Sequence, residues 1–348
     1  MPIISLLTIK GNMTYNVLKK IIRNRKLYLW CLVFGVFNLC SSQTKVILDT
    51  DFDSDVDDVQ ALGMLHSYQA AGKIDLIGVV VTSDDSYSYK AVSAINTYYG
   101  SPNTPIGYLK KQKDTSNFSK YTKQVSIEFS HRISSSEEIQ ESSKLYRKLL
   151  SESNDSSVVI VTIGHLTSLQ NLLQSKGDDI SPLDGEQLIY QKVKKWLCMG
   201  GTYPQGKEAN FYRPDPESTI YCIANWKKEV VFCGWEVGNQ ILTGGNYLKD
   251  NIDVHNPIYR SYELFNNFAG RPAWDQVAVM LLDKKISSSI FDVNTNGYVS
   301  IKKDGSNQWH SGKKKTNKNH AYVSIKRNIS PKVIAKTIDD LIVVIQVR

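Results

Sequence analysis

A dense run of aspartates constrains this chain more than any other sequence feature. Six aspartates fall within ten residues, between Asp49 and Asp58, in the segment KVILDTDFDSDVDDVQALGML. The segment Lys45–Leu48 is mostly apolar and β-branched, which predicts a buried strand. The segment Val56–His66 has apolar residues at helical spacing and acids in its first turn, which predicts a helix. The aspartates therefore lie at a strand-to-helix junction, where open α/β sheets bind their ligands.

So much negative charge in a small volume is costly unless a cation neutralises it. Ligands that offer only oxygen favour a hard cation, calcium or magnesium. An acidic helix cap with solvated neighbours would explain one or two aspartates, but six of them directly after a buried strand favour a functional site. The carboxylates concerned are Asp49, Asp51, Asp53, Asp55, Asp57 and Asp58.

The positive charge of the chain is concentrated at its N-terminus. The net charge is +8, and residues 1–42 hold six lysines and arginines and no acid, which leaves only +2 (8 − 6) for the remainder. A nearly neutral remainder argues against a nucleic-acid-binding surface. The basic run Lys313–Lys318 is interpreted as a solvated loop.

The first 42 residues have the parts of a signal peptide: basic Lys19–Lys26, apolar Leu27–Leu39 and small Ser41–Ser42. We therefore expect export to the periplasm or outside the cell, with a mature chain that begins near Gln43. The apolar run is shorter than the roughly 20 residues that span a bilayer, so no stable membrane insertion is expected after processing. A lipoprotein anchor at Cys40 is less favoured, because the leucine before it is not a small residue.

Beyond the leader, strands and helices alternate, which predicts one α/β domain over residues 43–348. Its expected core is a mostly parallel sheet with helices on both faces. A polar loop is expected over residues 110–125, a helix over Glu137–Leu150, and a C-terminal hairpin of Gly297–Lys303 with His320–Arg327, followed by a helix over Pro331–Val343. Further strands are expected over Ile74–Val81, Val158–Ile163, Lys195–Met199 and Val230–Cys233.

Three later segments place unusual residues at the ends of predicted strands or at the start of a helix. Taken singly, each is explained by turn glycines or helix caps. They are Ile163-Gly164-His165-Leu166-Thr167-Ser168, then Met199-Gly200-Gly201 with Glu208-Ala209-Asn210 and Asp215-Pro216-Glu217, and finally Arg271-Pro272-Ala273-Trp274-Asp275-Gln276.

Together with Asp49-Thr50-Asp51 and Asp57-Asp58, and in this order, these segments resemble the calcium-dependent nucleoside hydrolases of the inosine–uridine-preferring family. The resemblance covers roughly residues 45 to 285. It implies a glycosidase that cleaves the N-glycosidic bond of ribonucleosides or related N-ribosides by calcium-assisted attack of water. The products would be ribose and the free base, and a homo-oligomer is a candidate assembly.

Residue by residue, the resemblance implies a calcium site beside a ribose site. It makes Asp51 the general base on the attacking water. The implied calcium ligands are Asp51, Asp58, the backbone carbonyl of Ile163, and Asp275. The implied contacts with ribose hydroxyls are Asp57, Asn210 and, more weakly, Glu208. Asp57 and Asp58 are adjacent in a helix, so their side chains diverge by about 100° and can face different groups.

The chain departs from the family pattern at several positions. Phe52-Asp53 replaces Pro-Gly, and the loop to the aspartate pair is two residues longer, which predicts that Asp53 turns outward. Ser83-Asp84-Asp85 stands where the family has Asn. Trp274 replaces a histidine that serves some members as leaving-group acid, so we expect it to stack on the substrate instead. His165 and His131 are candidate replacement acids.

Two other interpretations compete with a nucleoside hydrolase. A haloacid-dehalogenase-like phosphatase also begins with a strand running into D-x-D, but it needs Thr or Val where Asp53 stands. A non-catalytic calcium- or sugar-binding protein on the same fold is the other, since Trp274 removes an acid. An EF-hand-like loop fails, because twelve residues from Asp49 or Asp51 lead to Gln60 or Leu62 and not to Glu.

Overall fold

The strand that precedes the aspartates lies inside a large sheet. In the computed structural model, β1 (Thr44–Thr50) pairs in parallel with β2 (Ile74–Val81) on one side and with β5 (Val158–Thr162) on the other. The structure describes residues 43–110, 119–312 and 319–344. The predicted leader, residues 111–118 of the predicted loop and the basic run Lys313–Lys318 therefore lie outside the described residues.

The central sheet confirms the predicted fold class. Its other strands are β3 (Ile106–Tyr108), β4 (Gln140–Glu141), β6 (Val193–Met199), β8 (Glu229–Cys233), β11 (Phe291–Asn294) and β14 (Asn319–Ile325). Their order is β11-β14-β8-β6-β5-β1-β2-β3-β4. Every neighbouring pair is parallel except β11 with β14.

Helices cover both faces of the sheet, and the remaining short strands form two small separate sheets. The helices are α1 (Asp57–Ala70), α2 (Ser88–Tyr98), α3 (Thr122–Glu128), α4 (Ser142–Ser151), α5 (Thr167–Gln174), α6 (Gly185–Lys192), α7 (Ala209–Tyr212), α8 (Pro216–Asn225), α9 (Trp235–Gly238), α10 (Asn246–Asn251), α11 (Pro257–Asn266), α12 (Trp274–Met280), α13 (Lys284–Ile290) and α14 (Pro331–Val343), with a 3₁₀ turn at Ser136–Glu138. The short strands are β7 (Gln205–Gly206), β9 (Leu242–Thr243), β10 (Arg271–Pro272), β12 (Gly297–Ile301) and β13 (Asn307–Ser311).

Alternation along β1 divides the core into two layers. Val46 and Leu48 pack into the apolar cluster on one face, whereas Ile47 packs into the cluster on the other. Successive side chains of a strand point to opposite faces, so a strand buried on both sides reads as a continuous apolar run. Within the described ranges, no helix is long and apolar enough to cross a membrane.

The predicted C-terminal hairpin exists, but with a different second strand. β12 pairs with β13, not with the segment over His320–Arg327. A tight turn with Gly305 at φ +79° closes this hairpin, and an Asp-Gly pair is a strong signal for such a turn. β14 joins the central sheet instead, parallel to β8. The final helix begins and ends as predicted.

Three helices differ from what the sequence predicts. The helix expected over Glu137–Leu150 begins only at Ser142, because the Glu141 carboxylate accepts a hydrogen bond from Ser143 N at 2.8 Å and caps it there. The loop expected over residues 110–125 contains the start of α3. The helix α6 was not predicted, although Asp184 and Gln187 form a capping box at its start.

Buried polar side chains hold α1 against its neighbours. The Gln60 amide donates to Asp339 of α14 at 2.7 Å, and its carbonyl oxygen accepts from Tyr262 of α11 and from Gln276 of α12, both at 2.9 Å. Gln60 and Gln276 are fully buried. Because Gln60 follows Asp58 by two residues and Gln276 follows Asp275 directly, this network fixes the ends of the two helices that carry those aspartates.

A second buried contact of α1 gives a pH-dependent prediction. Burial lowers the pKa of His66 to about 4, although its Nε2 hydrogen bond to Asn96 Oδ1, at 2.8 Å, favours the charged form. As the pH falls, the His66 side chain therefore takes up a proton in the unfolded chain before it does so in the folded protein. The stability that neutral His66 contributes is complete above about pH 6.5 and is lost as the pH falls towards 4. We expect a loss of about 3 kcal/mol from this group.

The measurement is the unfolding free energy in urea at several pH values, for the unmodified protein and for His66→Gln. The variant should lack the His66 part of the acid-induced loss. Parallel losses in the two proteins would contradict the assignment.

Candidate active site

A cavity of about 560 Å³ opens at the carboxyl ends of the central strands. This is the edge at which parallel sheets of this kind hold ligands. Carboxylates line its floor, and aromatic and basic side chains line its mouth. The lining residues are Asp51, Ser54, Asp55, Asp57, Asp58, Ile163, Met199, Thr202, Gly206, Lys207, Glu208, Ala209, Asn210, Tyr212, Trp235, Arg271, Trp274 and Asp275.

Three carboxylates meet at the floor of the cavity. Asp57, Asp58 and Asp275 each offer an oxygen, and these oxygens lie within 4.8 Å of one another. All three residues are at most 4% exposed. Two unit charges at that separation repel by about 3 kcal/mol at an effective dielectric constant of roughly 20. The arrangement can hold a metal ion, and the structure places Asp57 beside Asp58 and Asp275 in this set.

Asp51 reaches the same cavity from the end of β1, pressed against the turn after β5. A Cβ atom on Gly164 would lie 2.5 Å from the Asp51 amide nitrogen and 3.0 Å from its carboxyl carbon. Only glycine allows the two segments to approach so closely. The sequence signal at Gly164 therefore has a local cause: it lets the end of β5 hold Asp51 at the cavity.

Burial raises the pKa of every carboxyl in this group, and the neighbouring carboxylates raise it further. For Asp51 the largest charge effect comes from Asp58, and for Asp275 it comes from Asp57. The pKa of Asp57 is raised well above its ordinary value. The pKa of Asp58 is raised to about 8 by burial, although a hydrogen bond from Thr50 lowers it. Such a cluster favours either bound protons or a cation.

Asp58 is oriented by its own loop. Its Oδ1 accepts hydrogen bonds from the Thr50 hydroxyl and, at 3.3 Å, from the Phe52 amide. Phe52 is buried with φ at +32°, an uncommon conformation for a residue with a side chain. The side chain of Phe52 packs edge-to-face on Tyr121, which holds the loop in this shape.

Two of the predicted ribose contacts, Asn210 and Glu208, form one connected group with the Ile163 carbonyl. The Asn210 amide donates to the Ile163 oxygen at 3.1 Å. Glu208 is buried, and its two oxygens accept from the amides of Asn210, at 2.8 Å, and Gly201, at 2.9 Å. Burial raises the pKa of Glu208 to about 7. Glu208 thus holds the loop that carries Asn210, and both side chains line the cavity.

The expectation that Asp53 turns outward is wrong. Asp53 is 8% exposed, and its Oδ2 accepts from the Ser83 hydroxyl at 2.9 Å. Asp53 does not line the cavity. The longer loop folds it towards the end of β2, where Ser83 replaces the family's Asn.

Asp49 also lies in the core, where it accepts hydrogen bonds from Thr82 at 2.5 Å and from Tyr146 at 2.8 Å.

Two tryptophans lie at the mouth of the cavity. Trp274, predicted as a substrate contact, lines it, and its indole N–H donates to the Trp235 carbonyl at 3.1 Å. That bond occupies the only polar group of the indole and leaves its ring for stacking. Trp235 is 43% exposed and was missed by sequence reasoning, although it follows the carboxyl end of β8, a position that predicts ligand contact.

Neither histidine that was considered as a replacement acid lines the cavity. His165 is buried and its Nδ1 lies 3.0 Å from the Thr167 hydroxyl, which in turn donates to Asp215 at 3.2 Å. His131 lies after α3, and its Nδ1 has no hydrogen-bond partner among the described residues. The structure brings the acidic and ribose-side residues together, but it does not bring either histidine to them.

An ion pair that the sequence does not predict lies across the mouth of the cavity. The Arg271 guanidinium binds Asp55 through both carboxylate oxygens, with Nε to Oδ1 at 2.7 Å and Nε to Oδ2 at 2.9 Å. Its guanidinium carbon also lies 4.8 Å from the centre of the Trp274 ring. No local pattern links Arg271 to Asp55, because the two are 216 residues apart. Tyr212 and Lys207, likewise missed, line the same mouth.

The chain matches a known family and known folds. The family model described as inosine-uridine preferring nucleoside hydrolase matches residues 46–329. The chain is similar to the plant nucleoside hydrolase PpNRh1, at 15% identity and a TM-score of 0.61 over 86% of this chain and 97% of that one. It is similar to the inosine-uridine preferring nucleoside hydrolase from Bacillus anthracis, at 14% identity and a TM-score of 0.62 over 86% and 98%.

A third similar structure is the type III effector protein XopQ complexed with adenosine diphosphate ribose. Its identity is 12% and its TM-score 0.61, over 87% of this chain and 93% of that one. At such identities the solved structures show a shared fold. No curated protein matches the chain.

The contact between Gly164 and Asp51 gives a prediction. Gly164→Ala should displace Asp51 and weaken the affinity of the cavity for a divalent metal ion by roughly tenfold or more, as loss of a supporting group does at metal sites. Isothermal titration with calcium measures this. Gly245→Ala is the matched control, because no atom lies within 4 Å of a Cβ there. Equal affinities in the two variants would show that Gly164 does not position the site.

Proposed function

This chain belongs to the inosine–uridine preferring nucleoside hydrolase family and hydrolyses the N-glycosidic bond of nucleosides, and we propose that it does so with a calcium ion at the acidic floor of the cavity. The observation that carries the proposal is the meeting of Asp57, Asp58 and Asp275, with oxygens within 4.8 Å, in a cavity that Asp51 also lines. The expected products are ribose and the free base.

The donor set fits calcium. Every side chain at the floor offers carboxylate oxygen, which is the chemistry that calcium prefers. The carboxyls are buried, and burial together with their mutual repulsion raises their pKa values, although the charge of Arg271 offsets part of this at Asp57. We assign the ion to Asp51, Asp58, Asp275 and the Ile163 carbonyl, and Asp57 lies close enough to join them. When bound, calcium would offset these charges and polarise the oxygens it contacts.

The remaining chemistry falls to the residues of the chain. Asp51 acts as the general base and takes the proton of the attacking water. Asp57 accepts hydrogen bonds from the ribose hydroxyls, and the amide of Asn210 donates a hydrogen bond to them. Glu208 holds the loop that carries Asn210. The carboxylates around the anomeric carbon stabilise its developing positive charge, which is the main electrostatic demand of glycosidic cleavage. Trp274 stacks on the base.

The competing interpretations are weaker. A haloacid-dehalogenase-like phosphatase is set aside because the nucleoside hydrolase family model spans residues 46–329. A non-catalytic calcium- or sugar-binding protein requires that the site bind without turnover. The cavity keeps Asp51 beside the acidic floor, which supports turnover, and the riboside assay below separates the two.

We further propose that the protein is exported and works outside the cytoplasm as a scavenger of nucleosides. The basic, apolar and small-residue segments of residues 1–42 support this. A nucleosidase in that compartment would release ribose and bases that the cell can import.

Asp51→Asn should lower kcat/KM on inosine by about a thousandfold, because it removes the general base. Asp53→Asn should act mainly on stability, since Asp53 lies outside the cavity and bonds Ser83. Exposed Asp292→Asn on β11 is the charge-matched control. Release of reducing sugar measures the rates. Equal losses for Asp51→Asn and Asp53→Asn would refute the assignment of the base.

No histidine lines the cavity among the described residues, which predicts that the rate depends on the leaving group. We expect p-nitrophenyl riboside to be hydrolysed faster than inosine or uridine, with weak preference among bases. A panel of these ribosides is assayed with calcium and with a chelator. Activity that survives chelation, or that appears only on phosphate esters, would overturn the mechanism. No activity on any riboside would favour the non-catalytic alternative.

Processing of the leader predicts a mature chain that begins near Gln43. Mass spectrometry of protein purified from its native host measures the N-terminus. A protein that still begins at Met1, or at Met13 if translation starts at that second methionine, would refute export through this leader.

A further inference from the structure

The geometry at the cavity mouth points to Arg271 as the group that stabilises the departing base, and we infer that it does so by donating hydrogen bonds to the base as the base gains negative charge. The inference rests on the proposed function, because it concerns the same N-glycosidic bond. It assigns a group to assist the departing base in a cavity that no histidine lines within the described part of the chain.

The position of Arg271 suits this task. The floor of the cavity is buried and acidic, so a ribose whose hydroxyls face Asp57 and Asn210 lies deep. The base attached to its anomeric carbon then points towards the mouth. The mouth carries Arg271, whose side chain is 34% exposed, and Trp274, which sits directly before the floor residue Asp275.

Contacts with neighbouring residues fix the Arg271 guanidinium but do not use all of its N–H groups. Its Nε and Nη2 atoms donate to Asp55, and its flat face covers the Trp274 ring at 4.8 Å. The Tyr121 hydroxyl donates to the Asp55 carbonyl at 2.5 Å, which fixes the partner in turn. Among the described residues, Nη1 donates no hydrogen bond. Its two protons are therefore available to a ligand in the cavity.

The other cation at the mouth is less suited. Lys207 lies 3.5 Å from Asp304 and covers the ring of Tyr212 at 4.9 Å, with a side chain that is 45% exposed. It is a single, flexible point charge. Arg271 presents a planar fork whose geometry is fixed by two contacts, which suits a planar base with several acceptor atoms.

Cleavage of the bond between the anomeric carbon and the base requires no proton from Arg271. The bond between the anomeric carbon and the base nitrogen breaks, and its electron pair stays on the base. Water oxygen bonds the anomeric carbon, and its proton passes to Asp51. The base leaves as an anion paired with the guanidinium, which keeps its protons because its pKa lies far above neutral and is raised further by Asp55. Solvent then protonates the base.

The test is the dependence of kcat/KM on the leaving group, measured on p-nitrophenyl riboside, uridine and inosine. Arg271→Gln should lower the values on inosine and uridine by about a hundredfold, the loss typical of a transition-state donor. The value on p-nitrophenyl riboside, whose leaving group needs little help, should fall by less than about threefold. Arg271→Lys should give kcat/KM values on inosine and uridine between those of the unmodified protein and those of Arg271→Gln.

Two further variants separate this role from a structural one. Asp55→Asn combined with Arg271→Gln removes the ion pair without leaving a bare carboxylate, and it should stay as slow on inosine as Arg271→Gln. Arg260→Gln is the matched control, because Arg260 also binds a carboxylate through Nε and Nη2, on Glu128, but outside the cavity. It should leave all three rates unchanged.

Equal losses on all three ribosides, or recovery of inosine turnover in the double variant, would overturn the inference while leaving the proposed function intact. Unmodified protein that hydrolyses no riboside would overturn both. Thermal unfolding of each variant confirms that the compared proteins are folded.

Discussion

The crowding of buried carboxylates at the end of β1 is the constraint on which the rest of the structure depends. Asp57, Asp58 and Asp275 bring oxygens within 4.8 Å of one another in a nearly solvent-free floor. Three like charges in that space repel strongly. The fold tolerates this because a cation can bind there, and because each carboxylate belongs to a helix end or loop that other contacts hold in place.

Contacts around the floor of the cavity hold the crowded aspartates in place. Gln60 and Gln276 tie α1 to α12 through a hydrogen bond of 2.9 Å, so the helix ends that carry the aspartates cannot separate. Gly164 lets the turn after β5 press against Asp51. Stability in the core is therefore coupled to geometry in the site: loosening these contacts would relieve repulsion and lose the binding site together.

Sequence reasoning recovered what local patterns encode. The junction at Asp49–Asp58 is predictable because the apolar residues of a strand and of a helix recur at different periods, and open α/β sheets bind their ligands at the ends of their strands. The sequence does not show which distant strands or side chains contact each other. β14 pairs with β8 across some ninety residues, and Arg271 finds Asp55 across 216. The inward turn of Asp53 also escaped prediction, because nothing in the sequence marks the positive φ at Phe52.

The central claim is that the acidic floor is completed by calcium, and thermal unfolding with increasing calcium tests it most directly. Binding to the folded state alone stabilises it by RT ln(1 + [L]/Kd), about 2.7 kcal/mol at a hundredfold excess over Kd. The account predicts a melting temperature that rises with calcium, and a rise that Asp58→Asn abolishes. A melting temperature unaffected by calcium, or raised equally in Asp58→Asn, would contradict it.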